Sequence, residues 1–335
     1  MSKYDVAFII GRFQPVHIGH IKMINAAKEI AKKVVILLGS ANASPSVRNP
    51  FSAEDRIKFL NLEFPNVQVI QLMDYPYSDR MWVSQVEEIM GRFSGNNCIF
   101  GCNKDDSTYY LGIFPSTIKV LDYEPSKASA IDATLVRQFL YADKGVKAYL
   151  GDASHDVIVN NASIGKLKAE AEYVRRYKEA WKHSPFPPMF VTVDALVIHK
   201  ASFLAVRRKG HPGKGLLALP GGFLNQGELI ADAALRELRE ETTIKVFNGK
   251  TGAQIKFAPE WMVKNGVFDH PGRSSRGRVI THGFSWVIPD NCTVEITAAD
   301  DAADAIWVPL SSLNDPMNSI HWMEDHWHIA NALKK

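Results

Sequence analysis

This 335-residue sequence lacks the features that mark several large classes of protein. It has three cysteines, too few and odd in number for a disulfide framework, so we expect a reducing compartment. No apolar run approaches the ~20 residues that a membrane-spanning helix needs, and no charged-then-apolar leader opens the chain. The formal net charge of +3 is too small to indicate a nucleic-acid partner. We therefore expect a cytoplasmic protein that binds neither membrane nor nucleic acid.

The sequence does have enough apolar material for two globular cores. Hydrophobic residues make up 46% of the chain, and its length is typical of two domains. A strongly charged helical stretch over 169–181 is followed by a proline-rich run over 183–188. Prolines end helices and stiffen connections, so we place the domain boundary there, giving domains 1–183 and 184–335.

The most informative stretch is residues 11–20, which read Gly-Arg-Phe-Gln-Pro-Val-His-Ile-Gly-His. An apolar run typical of a buried strand precedes them, and apolar residues at helical spacing follow over 21–33. The stretch therefore joins a strand to a helix, at the strand end where open α/β sheets bind ligands. Around a helix N-terminus, Arg12, His17 and His20 can receive several phosphates at once. The alternative, that the two histidines merely cap and pack the helix, is disfavoured by the Gly-Arg-Phe-Gln-Pro segment in front.

The rest of the first half indicates a parallel sheet. β-branched and apolar runs predict further strands over 34–38, 67–72, 98–101 and 117–123, with helices beginning at Ser52 and covering 81–93. A strand, a helix and a strand within about 35 residues form a βαβ unit with a right-handed crossover.

Residues 11–20 resemble the nucleotidyltransferase superfamily, most of all the nicotinamide-mononucleotide (NMN) adenylyltransferases of the archaeal type. The resemblance implies a Rossmann-like domain in which the two histidines bind the phosphates of ATP. We expect Mg²⁺ to be bound between these phosphates. Residues 131–137 are similar to the helix start Ile-Ser-x-Thr-x-x-Arg of that family, although Asp132 and Ala133 stand where serines are common. The implied ATP-binding residues are Gly11, Arg12, Phe13, His17, His20, Gly39, Ser40, Arg48, Ile131, Thr134 and Arg137.

The same resemblance implies an acceptor site and a mechanism. Trp82 would stack on the nicotinamide ring beside Asp79, although a tryptophan there is more often a core or hinge residue. Attack of a mononucleotide phosphate on the α-phosphorus of ATP needs no protein nucleophile or base. It needs in-line positioning and neutralisation of the departing pyrophosphate, so we expect His17, His20 and Arg137 to be the catalytic residues, with help from Arg48.

A second motif lies in residues 222–241, where acidic residues recur at helical spacing. At about 100° per residue, Glu237, Glu240 and Glu241 fall on one helix face. Three carboxylates so placed repel one another unless a cation joins them, and hard oxygen ligands suit Mg²⁺ or Mn²⁺. Arg236 and Glu228 can pair and fix the preceding loop against the helix. The alternative is a solvated acidic helix face.

The full spacing resembles the Nudix box: glycine, five residues, glutamate, seven residues, then Arg-Glu-Leu-x-Glu-Glu. The box residues are Gly222, Glu228, Arg236, Glu237, Leu238, Glu240 and Glu241. The resemblance implies an α/β/α sandwich with a mixed sheet, metal ligation by the last three glutamates and catalytic roles for Glu240 and Glu241. Thr243 stands where the family usually has glycine, which alters the helix C-cap but touches no metal ligand, so we expect activity to survive.

A basic loop over 272–278 follows downstream and could be a solvated turn. Its resemblance to ADP-ribose pyrophosphatases that are fused to adenylyltransferases implies that Arg273, Arg276 and Arg278 contact a diphosphate or a ribose. The sequence does not identify a general base for this domain.

The order of the two halves leads us to expect a bifunctional enzyme of NAD metabolism. It would transfer AMP from ATP to NMN, giving NAD⁺ and pyrophosphate, and hydrolyse ADP-ribose to AMP and ribose 5-phosphate, with Mg²⁺ or Mn²⁺ in both domains. Nicotinate mononucleotide or another acceptor, and NADH or another nucleoside diphosphate derivative, are alternative substrates. A metabolite-sensing regulator is disfavoured by the intact carboxylates. The sequence leaves a homo-oligomer possible.

Overall fold

The computed structural model describes residues 2–103, 106–124 and 131–334. The chain divides into two compact units, Met1–Ala171 and Glu172–Lys335. Helix α6 (Ala162–Ala180) contributes residues to both units, so the boundary at 183/184 stays a prediction. Across the described residues, no helix combines the length and the hydrophobicity needed to span a bilayer.

The first unit is built on a five-stranded sheet of order β3-β2-β1-β4-β5, and every pair in it is parallel. Its strands are β1 Tyr4–Gly11, β2 Ala31–Leu38, β3 Gln68–Gln71, β4 Asn97–Gly101 and β5 Lys119–Asp122. Its helices are α1 Ile18–Ile30, α2 Ala53–Glu63, α3 Asp79–Gly91, α4 Ala133–Tyr141, α5 His155–Val159 and the start of α6. The predicted parallel sheet is confirmed. The strand order reverses between β1 and β4, which opens a crevice at their carboxyl ends.

Helix α1 begins and ends three residues earlier than its apolar spacing predicts. It ends at Ile30, and β2 begins at the next residue, so the prediction of helix through residue 33 was wrong. The backbone of Ala31 and Lys33 lies in the parallel ladder opposite Tyr4 and Val6. Tertiary pairing with β1 therefore overrides the local helical pattern in these three residues.

Two helix starts of the first unit follow their capping chemistry. Ser52 accepts a hydrogen bond from the Asp55 backbone N–H at 3.1 Å, and Asp55 Oδ2 accepts one from the Ser52 N–H, forming a capping box. Asp132, which replaces a common serine, caps α4 by accepting a bond from the Thr134 N–H at 2.8 Å. The short polar residues therefore fix where α2 and α4 begin.

The second unit contains a seven-stranded mixed sheet, in which β12-β13-β6-β7-β15 are neighbours in that order, β8 pairs with β7 and β9 with β6. Its strands are β6 Met189–His199, β7 Ser202–Arg208, β8 Leu217–Ala218, β9 Gly221–Phe223, β12 Met262–Phe268, β13 Arg278–Ile288 and β15 Ala302–Pro309. A small antiparallel sheet comprises β10 Lys245–Asn248, β11 Gln254–Ile255 and β14 Cys292–Glu295. The helices that follow α6 are α7 Ile230–Thr242 and α8 His326–Leu333.

Strands β6 and β7 form a hairpin that opens away from its turn. The two strands pair at Ile198↔Phe203 and His199↔Ser202. Further along, β6 pairs with β9 and β7 pairs with β8. The segment 217–223 therefore lies inside the opening of the hairpin, immediately before the acidic helix α7.

Helices cover both faces of the large sheet. Ala195 of β6 packs in one apolar cluster with Leu238 of α7. The neighbouring pair Asp194↔Gly283 faces the other side, where a Cβ on Gly283 would come within 2.7 Å of Leu333 in α8. The α/β/α arrangement with a mixed sheet, predicted from the resemblance, is confirmed.

Trp322 and Trp327 are both buried, as packing residues should be. Trp327 lies in α8, but Trp322 precedes that helix and stacks on Phe203 with ring centroids 5.6 Å apart. The residues between Trp322 and α8 form a turn, so Trp322 lies outside the terminal helix.

Thr243 ends α7 in the left-handed conformation, with φ 37° and ψ 38°, that glycine usually occupies at this position. A β-branched residue is strained there, since its Cβ crowds the following carbonyl oxygen. Its hydroxyl donates a hydrogen bond to the Thr297 carbonyl oxygen at 2.9 Å, which offsets part of that strain.

Two substitutions separate the strain from the hydrogen bond. Thr243→Ala and Thr243→Gly both remove the hydroxyl, but glycine alone relieves the left-handed strain. We expect the glycine variant to have a free energy of unfolding about 1 kcal/mol higher than the alanine variant. Urea denaturation followed by tryptophan fluorescence measures the difference, and equal stabilities would contradict the assignment of strain to Thr243.

Candidate active sites

The first candidate site lies at the carboxyl end of β1. Phe13 is buried with φ 50°, and its ring centroid lies 4.5 Å from that of His20. The rings of His17 and His20 stack with centroids 3.7 Å apart. His17 is the N-cap residue of α1, so both imidazoles lie at the start of that helix. The structure therefore brings the two predicted phosphate-binding histidines together.

Arginine side chains gather around this helix start. Burial, together with the nearby charges of Arg48 and Arg137, lowers the pKa of Arg12 to about 10. Guanidinium groups that depress one another's pKa create a positive potential, which an anion relieves. The electrostatics of these predicted ATP-binding residues therefore match a polyphosphate.

Arg137 is buried and already makes two hydrogen bonds within the protein. Its Nη1 donates to the Gln14 carbonyl oxygen at 2.7 Å, and its Nη2 donates to Thr134 Oγ1 at 3.1 Å. Burial lowers its pKa. These bonds connect α4 to the histidine-containing loop, so Arg137 also holds the two predicted ATP-binding segments against each other. Ile131 lies half-buried just before that helix and packs on the core.

Gly39 and Ser40 follow β2 and lie directly beside the end of β1. The Gly39 N–H donates to the Gly11 carbonyl oxygen at 2.9 Å. Ser40 has φ 52°, and its N–H donates to Asp74 Oδ1 at 3.2 Å. The structure therefore places the predicted ATP-binding residues of both strand ends in one crevice.

Arg56 on α2 is a residue that the sequence reasoning missed. It is buried with 1% exposure, and burial lowers its pKa to about 10. Its guanidinium donates at 2.7–3.1 Å to four backbone carbonyl oxygens, those of Arg12, Gly39, Ser40 and Ser52. Arg56 therefore joins the ends of β1 and β2 to the start of α2. A lone arginine in a helix gives no sequence signal of such a role.

The predicted acceptor residues lie together at the start of α3. Trp82 is half-buried, with its ring 5.5 Å from that of Tyr110 and 5.8 Å from that of Phe114. Asp79 Oδ1, one helix turn earlier, accepts a hydrogen bond from the Tyr109 hydroxyl at 2.9 Å. Burial and this bond raise the pKa of Tyr109 to about 12. Sequence reasoning did not identify Tyr109, because it lies in a short 3₁₀ helix 30 residues away along the chain.

The second candidate site is organised by Arg236 on α7. Its guanidinium donates to both carboxylate oxygens of Glu228, at 2.8 and 3.0 Å, which confirms the predicted pair. It also donates to Glu237 at 2.8 Å, to Glu240 at 2.9 Å and to the Phe223 carbonyl oxygen at 3.1 Å. Arg236 therefore connects the loop before α7 to two of the predicted metal ligands.

The predicted metal ligands Glu237 and Glu241 reach the strand β9. Glu241 is buried, and its Oε2 accepts a hydrogen bond from the Gly221 N–H at 3.1 Å. Burial, with the neighbouring charge of Glu237, raises the pKa of Glu241 to about 8. Burial also raises the pKa of Glu237. A Cβ on Gly222 would lie 2.4 Å from Glu237 Oε1, so glycine is required for this approach.

These carboxylates fit a divalent cation by their chemistry. Over the described ranges, no three Asp, Glu, His or Cys side chains are grouped closely enough to hold a metal, since Arg236 lies between Glu237 and Glu240. Glu240 has a 46% exposed side chain, so it can turn towards the other two without repacking. Burial raises the pKa of Glu237 and Glu241, with smaller contributions from the charge of Glu240 on Glu237 and of Glu237 on Glu241, and a hard cation would favour the ionised forms. Metal ligation by the three glutamates stays a prediction. Leu238, the apolar residue of the Nudix box, is buried in the core.

The three arginines of the basic loop occupy different environments. Arg273 is buried and donates two hydrogen bonds to Asp325, both at 2.9 Å, which favours a structural role over ligand contact. Arg278 donates to the Asp269 carbonyl oxygen. Arg276 lies over the ring of Phe223, with its Cζ 5.2 Å from the centroid. Of the three, Arg276 is therefore the one beside the Nudix-box loop.

Arg208 on β7 is a further cation that sequence reasoning missed. Burial lowers its pKa, the charge of Arg276 lowers it further, and the charge of Glu241 raises it. The second site therefore contains arginines as well as acids, a combination suited to a diphosphate held through a cation.

Comparisons with known proteins match both halves. A NUDIX domain model matches residues 188–326, and a cytidylyltransferase-like model matches residues 8–76. A bifunctional NMN adenylyltransferase/ADP ribose pyrophosphatase from Francisella tularensis is 36% identical in sequence. Its structure superposes with a TM-score of 0.88 over 98% of each chain. A second structure of that protein, with AMP and a manganese ion, has 35% identity, a TM-score of 0.87 and the same coverage.

Relatives of each half are also similar. A nicotinamide/nicotinic acid mononucleotide adenylyltransferase from Acinetobacter baylyi is 33% identical over 44% of this chain and 81% of its own length. An ADP-ribose pyrophosphatase from Methanocaldococcus jannaschii is 35% identical over 37% of this chain and 63% of its own length. The chain is thus similar over its full length to the Francisella protein and, over part of its length, to a relative named for each single activity.

Arg56 provides a test of the first site. Lysine keeps the charge but cannot reach all four carbonyl oxygens, so Arg56→Lys leaves buried acceptors without donors. We expect a loss of at least about 2 kcal/mol in the free energy of unfolding, together with weaker ATP binding by calorimetry. Arg92→Lys, at an exposed position, is the matched control and should stay within about 0.5 kcal/mol of wild type. Equal behaviour of the two variants would contradict the role of Arg56.

Gly222 provides a test of the second site. The new Cβ of Gly222→Ala would displace the Glu237 carboxylate, so we expect Mn²⁺ affinity, followed by electron paramagnetic resonance, to fall about tenfold or more. Gly210→Ala is the control, because its Cβ would meet no atom within 4 Å. Unchanged Mn²⁺ binding in Gly222→Ala would argue against Glu237 as a ligand.

Proposed function

This chain belongs to the family of bifunctional proteins that join an NMN adenylyltransferase to an ADP-ribose pyrophosphatase, and we propose that it carries both activities. The N-terminal domain transfers AMP from ATP to NMN, giving NAD⁺ and pyrophosphate. The C-terminal domain hydrolyses ADP-ribose to AMP and ribose 5-phosphate. The observation that carries the proposal is the presence of two separate groups of like charges, arginines in one unit and glutamates in the other.

Adenylyl transfer needs positioning more than acid–base chemistry, because the acceptor phosphate is already a nucleophile. The stacked pair His17 and His20 lies at the start of α1, where free backbone N–H groups also favour an anion. Arg12, Arg48 and Arg137 add the positive potential that stabilises charge on the departing pyrophosphate. The bonds that Arg56 and Arg137 make to backbone carbonyls hold these groups in place before ATP arrives.

The geometry near Trp82 favours a nicotinamide over a nicotinate acceptor. A half-buried indole offers a flat apolar face to a pyridine ring. Asp79 lies one turn earlier on the same side of α3, and its carboxylate attracts the N–H groups of a carboxamide but repels a second carboxylate. The donor hydrogen bond from Tyr109 fixes that carboxylate.

Hydrolysis of ADP-ribose uses the opposite electrostatics. Glu237, Glu240 and Glu241 would hold Mg²⁺ or Mn²⁺, which when bound supplies Lewis-acid activation of water and neutralises the diphosphate. The similar Francisella protein was solved with AMP and a manganese ion, which supports the use of a divalent cation by this chain. Arg236 holds the carboxylate of Glu237, and the Gly221 N–H holds that of Glu241. Arg208 and Arg276 add positive charge near these carboxylates, which favours a diphosphate.

Variants that each disable one site test the whole proposal. His20→Ala removes one of the two phosphate-binding imidazoles, so NAD⁺ formation should fall about 10²-fold or more while ADP-ribose hydrolysis stays unchanged. Glu240→Gln should lower ADP-ribose hydrolysis and leave NAD⁺ formation unchanged, because it removes a predicted metal ligand of the second site only. Chromatographic assays of NAD⁺ and AMP measure both reactions on the same preparations.

Each variant is the control for the other, because each leaves the opposite domain unchanged. Loss of both activities in one variant would indicate misfolding or a shared site. If the wild-type enzyme forms no NAD⁺ from ATP, NMN and Mg²⁺, the first half of the proposal is wrong. If it leaves ADP-ribose uncleaved, the second half is wrong.

A further inference from the structure

Arg48, one of the predicted ATP-binding residues, lies in a tight turn of residues 46–49 between β2 and α2, here called the Arg48 turn. The Asn49 N–H donates to the Ser46 carbonyl oxygen at 3.0 Å, and the Ser46 N–H donates to the Asn49 carbonyl oxygen at 3.2 Å. These two bonds close the turn and leave Val47 and Arg48 at its central positions. Arg48 is exposed, so the direction of its side chain depends on how the backbone of the turn is held.

The backbone of Val47 is held by two side chains from distant helices. Its N–H donates to Glu170 Oε1 of α6 at 3.3 Å, and its carbonyl oxygen accepts a bond from the Tyr141 hydroxyl, at the end of α4, at 3.1 Å. The two bonds that close the turn use neither of these backbone groups. The residue before Arg48 is therefore fixed by side chains that lie 123 and 94 residues further along the chain.

Glu170 differs from the solvated charges that dominate α6. It is 3% exposed, and it lies on the same helix face as the buried residues Ile164 and Leu167, six and three positions earlier. Ile164 belongs to the hydrophobic core of the first unit. A carboxylate is costly to bury unless it is paired and hydrogen-bonded, so Glu170 is a specific feature of this unit.

Tyr141 lies between this acid and the arginines of the first site. Burial and the charge of Glu170 raise the pKa of Tyr141, while the charge of Arg137 lowers it. The hydroxyl is therefore protonated at neutral pH and available as a donor. The charge of Arg48 in turn lowers the pKa of Arg137. A buried negative charge thus lies near cations that we expect to bind a polyphosphate, where it opposes anion binding and needs another explanation.

We propose that Glu170 and Tyr141 are positioning residues, which fix the Arg48 turn so that its guanidinium meets the phosphates of ATP. This inference rests on the proposed adenylyl transfer. A planar guanidinium neutralises phosphate oxygens well only in the right orientation. Negative charge grows on the departing pyrophosphate as the reaction proceeds, so a fixed Arg48 stabilises the transition state more than bound ATP.

Kinetics on the full-length protein test these roles. Glu170→Gln keeps the shape and an acceptor oxygen but removes the charge that strengthens the bond to Val47, and Tyr141→Phe removes the donor to the Val47 carbonyl oxygen. We expect each change to lower the kcat of NAD⁺ formation about tenfold and to change the KM for ATP less than about threefold. Hydrolysis of ADP-ribose should stay unchanged. Glu172→Gln is the matched control, because this residue lies on the same helix with a 43% exposed side chain.

A double variant tests whether Glu170 acts through Arg48. In an Arg48→Ala background, Glu170→Gln should lower kcat no further, because the side chain that it positions is gone. A second loss of the same size would show that Glu170 acts independently of Arg48 and would overturn the proposal. A lower KM for ATP with unchanged kcat in Glu170→Gln would also overturn it, since Glu170 would then act only as a charge that opposes ATP.

Hydrogen exchange of the unliganded protein, followed by mass spectrometry, tests the same contacts without any reaction. Relative to Glu172→Gln, both Glu170→Gln and Tyr141→Phe should speed exchange of the amides of residues 46–49 about fivefold or more. Unchanged exchange would overturn the proposal. If the wild-type enzyme forms no NAD⁺, the proposed function of the first unit fails, and exchange still decides whether the two side chains hold the turn. A variant that also loses ADP-ribose hydrolysis is misfolded, and the other variant then decides.

Discussion

Repulsion between like charges is the constraint around which both units are built. In the first unit, burial together with the charges of Arg48 and Arg137 lowers the pKa of Arg12. In the second, burial together with the charge of Glu237 raises the pKa of Glu241. Neither group could persist on a loose loop, because the side chains would swing apart into water. Each is held by neutral partners: backbone carbonyl oxygens around the arginines, and the Gly221 N–H beneath the glutamate.

The folds make these gatherings possible at particular points of the sheets. In the first unit, parallel pairing sets the ends of β1 and β2 side by side, and the reversal of strand order next to β1 leaves space above them. In the second, the hairpin of β6 and β7 opens and admits β9, so a backbone N–H becomes available to Glu241. Gly222 completes that arrangement, since any side chain there would occupy the position of the Glu237 carboxylate.

Sequence patterns predicted the parts of this structure that depend on neighbours along the chain. The capping of α2 by Ser52, the pair of Arg236 with Glu228 and the strand–turn–helix around His17 all lie within a few turns of sequence. The parts that the sequence did not predict depend on distant segments. Arg56 is buried because carbonyl oxygens from two strand ends converge on it, and Arg273 is buried because Asp325 meets it from 52 residues away. A local pattern cannot distinguish either arginine from a solvated one. The end of α1 at Ile30 likewise depends on a distant segment, because the next residues pair with β1.

The two units recognise related nucleotides through opposite charges, and the difference follows from the two reactions. In adenylyl transfer the leaving pyrophosphate accumulates negative charge and the nucleophile is ready-made, so fixed cations around the phosphates supply what the reaction lacks. In hydrolysis the missing component is a nucleophile, because water at neutral pH is a poor one. The glutamates of the second unit would hold a divalent cation, which would activate water and neutralise the diphosphate that the acids otherwise repel. An anion bound among the arginines, or a cation bound among the glutamates, offsets the repulsion within each group, so ligand binding and stability are linked in both units.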